Sequence, residues 1–341
     1  MILRYLFLIL SLNPASALFF CSLSLGVIIR ISSASWFTAW LGLELNLLSF
    51  IPLISSTRNL YSSEAALKYF LVQALGSAVF LCRSSTVLIS SKPVLSFFIL
   101  VSLLLKIGAA PFYFWLPPII QGLSWFNCLV LITIQKIAPI ILISYLIQTN
   151  SNLISLLYLS SVLSACAGSL GGLNQVFLRK ILAYSSIAHI RWILASLVNR
   201  TLLWLNYFLI YCIVSISAVW PLYLHQIFHF NQLISTPFHL NLSRLRISVA
   251  FLSLGGLPPF IGFLPKILVV QFLSQQGIIL WVAILFLGAL ITLFFYIRVI
   301  LIALSLNNPK LKWVKKNYEK FNRSLVILTG LNFGLFFIPI F

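Results

Sequence analysis

The sequence contains no aspartate, and its acidic residues are three glutamates, Glu44, Glu64 and Glu319. Charged residues of either sign make up 7% of the 341 residues, whereas hydrophobic residues make up 61% and the mean hydropathy is +1.10. Since a soluble domain of this length needs a polar surface, the composition excludes one. The apolar runs are continuous rather than alternating, which excludes a membrane β-barrel. The sequence therefore predicts an all-α polytopic membrane protein.

Motifs for cofactors and metals are also missing. The five cysteines are scattered and include no C-x-x-C pair, which argues against an iron–sulfur or zinc site. No glycine-rich phosphate loop, nucleophile elbow or set of haem ligands occurs. His225 and His229 have a spacing that could chelate a metal, but their neighbours are aromatic, which favours an interfacial aromatic and histidine belt. We expect no cofactor and no redox chemistry in this chain.

Positive charge, in contrast, is abundant. Lysine and arginine number 22, so the formal net charge is +19. In a soluble protein this excess would suggest nucleic-acid binding, but no solvent-exposed basic domain exists here. In a membrane protein, basic loops set the orientation and contact anionic phospholipids such as cardiolipin. We therefore expect lipid contacts and no nucleic-acid partner.

The long apolar runs predict about eleven transmembrane helices, since about 20 apolar residues cross a bilayer. Two of them, the fourth and the ninth, carry helix-breaking segments, LLLKIGAAPFYFWLP at 103–117 and LGGLPPFIGFLPK at 254–266. A proline removes a backbone donor and kinks or ends the helix. A broken helix at membrane depth must lie within protein or line a cavity. Each break is accompanied by a lysine, Lys106 in the first and Lys266 in the second.

The positions of the two breaks predict an internal repeat. Each break falls in the fourth helix of a group of five, the first group covering about residues 5–148 and the second about residues 152–304. Because the number of spans per group is odd, the second copy would be inverted, as in inverted-repeat transporters. The alternative is that glycine–proline breaks are simply common in membrane helices. Residues 305–341 would add a basic surface segment and one last helix to a single transmembrane domain, 1–341.

Five ionisable side chains are predicted to lie at membrane depth: Glu44, Lys106, Lys136, His189 and Lys266. A charged side chain there costs about 2.5–3.5 kcal/mol, so each needs a partner, water or a function. Linked by water, such groups would form a proton relay. The alternative is a set of buried ion pairs that only stabilise packing. That alternative is weakened because Glu44 and Glu64 cannot pair every lysine, and Glu64 stands four residues before Lys68, as in an interfacial helical ion pair.

Several segments resemble, in order, the subunit 2 family of animal mitochondrial NADH–ubiquinone oxidoreductase, respiratory complex I. The resemblance covers most of the chain and is weakest at 225–246 and beyond 307. It is carried by WLGLELNLLSFIP at 40–52, SEAALKYF at 63–70, LKIGAAPFYFW at 105–115, QKIAP at 135–139, GGLNQ at 171–175, LRKILAYSSI at 178–187, and LGGLPP and GFLPK at 254–259 and 262–266.

The resemblance implies an antiporter-like, proton-translocating subunit of the membrane arm, located in the mitochondrial inner membrane. It implies that Glu44 and Lys106 are a coupled pair, that Lys136 is a central lysine, that Lys266 is the terminal lysine of the second half and that His189 lies on a hydrophilic axis. NADH, flavin and quinone would contact other subunits, and the neighbours would be other membrane-arm subunits. Two alternatives are a stand-alone cation/proton antiporter of the same fold and a structural scaffold that has lost pumping.

The sequence also contains a single methionine. Arg83 and Arg191 lie in or beside apolar spans, where no acid is left to pair them. Many animal mitochondria read AUA as methionine and AGA or AGG as serine, so a translation without these reassignments would remove methionines and create arginines. We hypothesise that some isoleucines are methionine in the natural protein and that Arg83 and Arg191 are serine.

Overall fold

The computed structural model describes residues 14–56, 59–87, 93–198, 202–235, 241–304, 329–330 and 332. Within these ranges the regular structure is helical and contains no β-strand, although Phe177 and His229 form an isolated antiparallel bridge. The chain divides into two compact units. The first comprises Met1–Ser164 and Leu197–Arg200, and the second comprises Ala165–Ser196 and Thr201–Phe341.

The helices of the first unit are followed by those of the second in chain order. The first group is α1 (Pro14–Ile31), α2 (Trp36–Ile54), α3 (Leu60–Val87), α4 (Pro93–Ile107), α5 (Leu116–Gly122), α6 (Trp125–Ile132) and α7 (Ile134–Thr149). Helix α8 (Ile154–Leu173) belongs to both units. The second group is α9 (Leu178–Leu197), α10 (Leu203–His225), α11 (Phe230–Ser235), α12 (Asn241–Gly255), α13 (Phe263–Gln275) and α14 (Ile279–Leu304).

Seven helical segments of the described chain are long and apolar enough to cross a membrane: Pro14–Ile31, Trp36–Ile54, Leu60–Ser85, Trp125–Thr149, Ile154–Leu173, Leu203–His225 and Ile279–Leu304. Two shorter apolar helices, Ser96–Ile107 and Phe263–Gln275, belong to the broken segments. The prediction of an all-α polytopic membrane protein is therefore confirmed. The count of eleven and the inverted repeats stay predictions, and the basic segment and most of the last helix lie outside the described residues.

The outer face of α14 shows the apolar surface that lipid contact requires. Leu287, Leu290, Phe294 and Leu301 recur at helical spacing and are between 62% and 64% exposed. In water an apolar stripe of this size would be a liability, whereas in a bilayer it faces hydrocarbon. The opposite face of α14 is buried in the second unit, at residues that include Phe295 and Val299.

Helices α1 and α2 approach closely through two glycines. A Cβ atom added at Gly26 would lie 3.2 Å from the carbonyl oxygen of Gly42, and one added at Gly42 would lie 2.9 Å from that of Gly26. Without a hydrophobic driving force inside the membrane, small residues let helix backbones pack at short distance. This contact positions the polar and charged side chains of α1 and α2 next to each other.

Both predicted helix breaks are present. Helix α4 ends at Ile107 and is followed by Gly108 with φ of 76°, and α12 ends at Gly255 and is followed by Gly256 with φ of 72°. Glycine tolerates positive φ because it has no Cβ atom. Each glycine thus turns the chain out of its helix, and a second helix, α5 or α13, begins after a short irregular segment.

Two boundaries differ from the prediction. The polar link from His225 to Arg246 is partly helical, because α11 lies within it and α12 begins at Asn241 rather than near Val249. A further interruption, at Thr133 between α6 and α7, was not predicted. The nearest proline, Pro139, lies further along the chain, inside α7. Because proline has no backbone N–H, it leaves a carbonyl of the preceding helical turn without its usual donor.

Candidate functional site

A cavity in the first unit collects polar side chains from five helices and the segment after the first break. We call it the Lys106 cavity. It has room for water, and its polar and charged lining consists of Arg30, Asn46, Tyr69, Gln73, Lys106, Gln135 and Lys136. Such a lining is unusual at membrane depth, where each polar group needs a hydrogen-bond partner or water.

Lys106 is buried in the last turn of α4, immediately before the break. Its amine interacts electrostatically with Glu44 of α2 and with Arg30 of α1. Glu44 is half-buried, and the two side chains, both in the described part of the chain, form no salt bridge within 4.0 Å. Lys106 therefore has one charge of each sign within electrostatic range, and the acid is not in direct contact with it.

The carbonyl groups exposed by the first break are capped by side chains. Trp115 Nε1 donates to the Leu105 oxygen at 3.1 Å, and Gln73 Nε2 lies 3.5 Å from the Lys106 oxygen. The last carbonyls of a helix have no partner within it, so a buried helix end needs such donors. These bonds hold the helix end in place without using the Lys106 amine.

Lys136 lines the same cavity from α7 and is 2% exposed. Its neighbour Gln135 donates from Nε2 to Asn46 Oδ1 at 3.0 Å. Asn46 lies on α2, the helix that also carries Glu44. The amide pair thus joins the helix of the acid to the helix of the second lysine, and Lys106 and Lys136 share one cavity.

Lys266 has a different environment in the second unit. Its Nζ donates to the carbonyl oxygens of Gly255, at 2.7 Å, and Leu254, at 3.2 Å, so the amine caps the end of α12. A cation is stabilised there because the free carbonyls give the helix end partial negative charge. A Cβ atom at Gly256 would lie 2.5 Å from this amine, so the glycine serves both the turn and the lysine.

His189 lies on α9 in the same unit, buried against aromatic rings. Its Nδ1 is 2.9 Å from the hydroxyl oxygen of Tyr207, and its ring centroid is 4.8 Å from that of Tyr211. These three residues line a small cavity together with Ser253, Gly262 and Pro265, the residue before Lys266. Histidine and tyrosine in hydrogen-bond contact can exchange a proton.

The structure thus divides the five predicted site residues between the two units. Lys106 and Lys136 line one cavity with Glu44 within electrostatic range of Lys106, whereas His189 and Lys266 belong to the second unit. Their roles in proton transfer stay predictions. The i,i+4 pair forms as predicted, with Lys68 Nζ 2.5 Å from Glu64 Oε1, and both side chains are exposed. His229 packs against Phe177 at 4.2 Å between ring centroids, and the interfacial aromatic belt stays a prediction.

Two site residues were missed in the sequence. Arg30 ends the first apolar run, and a charge in that position was the available signal. Asn332, in the predicted last helix, is buried. Its amide nitrogen donates to the Ser217 hydroxyl at 3.1 Å, and its amide oxygen accepts from the Ser253 hydroxyl at 3.4 Å. Its backbone oxygen accepts from the Ile261 nitrogen at 3.0 Å. Asn332 therefore binds the irregular segment of the second break, but no local sequence pattern indicates this.

Comparison with known proteins identifies the group to which these features belong. Residues 33–97 and 85–292 match the family model of the NADH:quinone oxidoreductase/Mrp antiporter transmembrane proteins. NADH-ubiquinone oxidoreductase chain 2 of Anopheles gambiae is 44% identical over 308 residues, covering 88% of this chain and 89% of that protein. The chain 2 protein of Aedes aegypti is 44% identical over 324 residues, covering 93% of each.

A solved structure agrees in fold. A chain of respiratory complex I from Thermus thermophilus with bound aureothin superposes with a TM-score of 0.81 and 25% identity, covering 94% of this chain and 77% of that one. Three findings indicate the same family: the 44% identity over most of the chain, the family model that matches more than half of it and the shared fold. The chain belongs to the NADH-ubiquinone oxidoreductase chain 2 family.

Proposed function

We propose that this chain is a proton-translocating core subunit of mitochondrial respiratory complex I. NADH oxidation and ubiquinone reduction take place in other subunits, and this chain couples them to proton movement across the inner membrane. It is thus enzymatic only as part of the NADH:ubiquinone reductase. Membership of the chain 2 family supports the assignment. The observation that carries the mechanism is the Lys106 cavity, where two buried lysines share a water-sized space at a helix break.

The charges around Lys106 suggest how a proton is captured and released. Attraction between Glu44 and Lys106 stabilises the ammonium form of the lysine while the acid stays close. A shift of α2 relative to α4 that separates them removes this attraction, and the amine then passes its proton to water. Lys136 across the cavity accepts it, and the hydrogen bond between Gln135 and Asn46 links the movement of α2 to α7. His189 and Lys266 extend the relay in the second unit.

The finer architecture is part of the same proposal. We infer about eleven transmembrane helices in two inverted five-helix repeats, with a last helix at the C-terminus. The support is that both broken helices have the same construction, a helix, a glycine with positive φ, a short irregular segment and a second helix. In inverted-repeat transporters such broken helices flank the ion pathway.

The protein and lipid partners of the chain follow from the same assignment. The other membrane-arm subunits of complex I are its protein partners, and anionic phospholipids such as cardiolipin contact its basic segments. NADH and flavin bind elsewhere in the complex, and this chain holds no cofactor. The strongly basic stretch between Asn307 and Arg323 lies outside the described residues, so its lipid contact rests on its sequence.

One purification tests the proposal against a stand-alone cation/proton antiporter, which the matching family model also includes. Membranes are solubilised in mild detergent, separated on a native gel and stained for NADH oxidation, and the chain is located by mass spectrometry. We expect the chain in a very large NADH-oxidising band. A chain that migrates alone, or in an assembly without NADH oxidation, would support the antiporter and contradict the proposal.

A further inference from the structure

Each lysine at a helix break lies within electrostatic range of a buried arginine. Arg30 of α1 is 2% exposed and interacts electrostatically with Lys106, and Arg191 of α9 is 1% exposed and interacts with Lys266. Like charges repel strongly where the dielectric constant is low. A guanidinium remains charged at any pH a cell reaches, so neither repulsion could be relieved by loss of a proton from arginine. Each arginine therefore disfavours the protonated form of its lysine, which a proton relay requires.

Neither arginine has the partners that a buried guanidinium needs. Arg30 Nε donates to the Gly26 oxygen of its own helix at 3.2 Å, but its Nη2 atom makes no hydrogen bond within the described chain. In Arg191, Nε and Nη1 are likewise buried and make no hydrogen bond to any described residue, and its guanidinium carbon lies 5.7 Å from the centre of the Trp192 ring. Buried donors without acceptors destabilise a folded protein, and more so when they are charged. No acid lies at salt-bridge distance from either side chain in these ranges.

Arg298 of α14 provides the contrast. Its Nη1 donates to the Leu173 oxygen at 2.6 Å and its Nη2 to the Gln175 oxygen at 2.8 Å. Its guanidinium carbon also lies 5.1 Å from the centre of the Phe230 ring. Arginine is well suited to two carbonyls in this arrangement, because its donors form a planar fork. Arg298 Nε, like Arg191 Nε, makes no hydrogen bond to a described residue, but Nη1 and Nη2 of Arg298 each have an acceptor. Arg30 has one acceptor, for Nε, and Arg191 has only a ring contact, so Arg298 is the best satisfied of the three.

At positions 30 and 191 a serine could make the same hydrogen bond to its own helix that other serines of α1 and α9 make. On α9, Ser185, Ser186 and Ser196 each donate to the carbonyl three residues earlier, at 2.8, 2.7 and 2.7 Å. On α1, Ser22 does the same at 3.0 Å. A buried helical serine satisfies its own donor in this way and keeps a lone pair for water. The same substitution would remove the repulsion of each lysine.

We propose that positions 30 and 191 are serine in the protein that mitochondria make, and that the hydroxyl at position 30 is a further polar group of the Lys106 cavity. The inference rests on the proposed mitochondrial origin, because only there are AGA and AGG codons read as serine. Both arginines would then reflect translation with a code that lacks this reassignment, as the single methionine also indicates. Position 30 lines the Lys106 cavity, so the shorter side chain leaves more space for water next to the lysine. Two fewer arginines lower the formal net charge from +19 to +17.

Arg83 does not share this combination of features. It is only partly buried, and its guanidinium carbon lies 4.1 Å from the centre of the Phe98 ring, closer than the 5.7 Å between Arg191 and the Trp192 ring. A cation over an aromatic face is a favourable contact. The hypothesis that residue 83 is serine therefore gains nothing from the structure and stays a prediction from the sequence.

Peptide mass spectrometry of the complex isolated from its source tests whether positions 30 and 191 are serine. The complex is digested separately with trypsin and with chymotrypsin, and peptides covering positions 30, 191 and 298 are sequenced. We expect serine masses at 30 and 191 with no tryptic cleavage after either, and arginine at 298, which serves as the matched control. Arginine at 30 or at 191 would overturn the inference, as would serine at 298, because the hydrogen-bonding criterion would then have failed.

The same sample separates this inference from the proposed function. If the chain is found in the NADH-oxidising band but carries arginine at both positions, the function stands and the serine inference is overturned. If the chain is absent from that band, the proposed function fails whichever residue the peptides show. Sequencing the gene gives an independent reading, since we expect AGA or AGG at codons 30 and 191 and a CGN codon at 298.

Discussion

The ammonium group of Lys266 lies 2.7 Å from the carbonyl oxygen of Gly255, the last residue of the helix before the second break. At the first break the carbonyl of Leu105, in the last turn of α4, is capped by the indole of Trp115, and the Lys106 amine makes no hydrogen bond to any described residue. Two breaks with the same backbone construction therefore use their lysines differently. The Lys106 amine does not cap its helix end, whereas the Lys266 amine does.

Replacing Lys106 with methionine should stop proton translocation while the chain still assembles. Methionine is similar in length and apolar, so a bundle held by apolar packing tolerates it, but the group that carries the proton is lost. The measurement is NADH-driven acidification in vesicles containing the assembled complex. Lys68→Met is the matched control, because Lys68 is exposed and paired with Glu64. Normal pumping in Lys106→Met would contradict the relay.

The substitution Glu44→Gln should lower the pumping rate several-fold and leave assembly unchanged. Glutamine keeps the size and hydrogen-bonding capacity of the side chain but removes the charge that attracts Lys106. The ratio of protons moved to NADH oxidised is the quantity to measure. Glu64→Gln removes the acid of the exposed pair and should leave that ratio unaltered. Equal ratios in the two variants would argue that Glu44 is not coupled to Lys106.

Two substitutions of Lys266 should give different results. Lys266→Met leaves the Leu254 and Gly255 carbonyls without their donor, which costs about 1–3 kcal/mol, so the amount of assembled complex should fall. Lys266→Arg keeps a donor at this position but supplies a group that does not release its proton, so the complex should assemble and pump poorly. Native gels measure assembly and vesicle acidification measures pumping. Full activity of Lys266→Arg would leave Lys266 with a capping role alone.

Removing the side chain of Asn332 should loosen the second break. Asn332→Ala deletes the hydrogen bonds to Ser217 and Ser253, each worth about 0.5–1.5 kcal/mol, while both serine hydroxyls keep a backbone acceptor, the Val214 and Ala250 oxygens. We expect a lower thermal unfolding temperature of the purified complex. Ser274→Ala removes an exposed hydrogen bond on α13 and is the control with little expected effect. If both variants unfold at the temperature of the unaltered complex, Asn332 does not hold the break.

Much of the architecture was predictable because it depends on local properties of the chain. Apolar composition decides that the protein lies in a membrane, and hydrocarbon in turn requires helices, since backbone groups cannot be left without partners. The breaks after Ile107 and Gly255 follow from glycines that accept positive φ and from the prolines that come after them. The pair of Glu64 and Lys68 follows from helical spacing alone.

The environment of each site residue, in contrast, was decided by the tertiary structure. Gln135 meets Asn46 across 89 residues of sequence, and Lys266 reaches back 11 residues to cap Gly255. Such contacts arise from the way helices pack, and no spacing rule along the chain encodes them. The sequence by itself determined a helical membrane protein of this family with two broken helices and a few intramembrane charges. Only the packing decided which of those charges lie beside water-sized space and which cap a helix end, because burial and hydrogen bonding depend on neighbours distant in sequence.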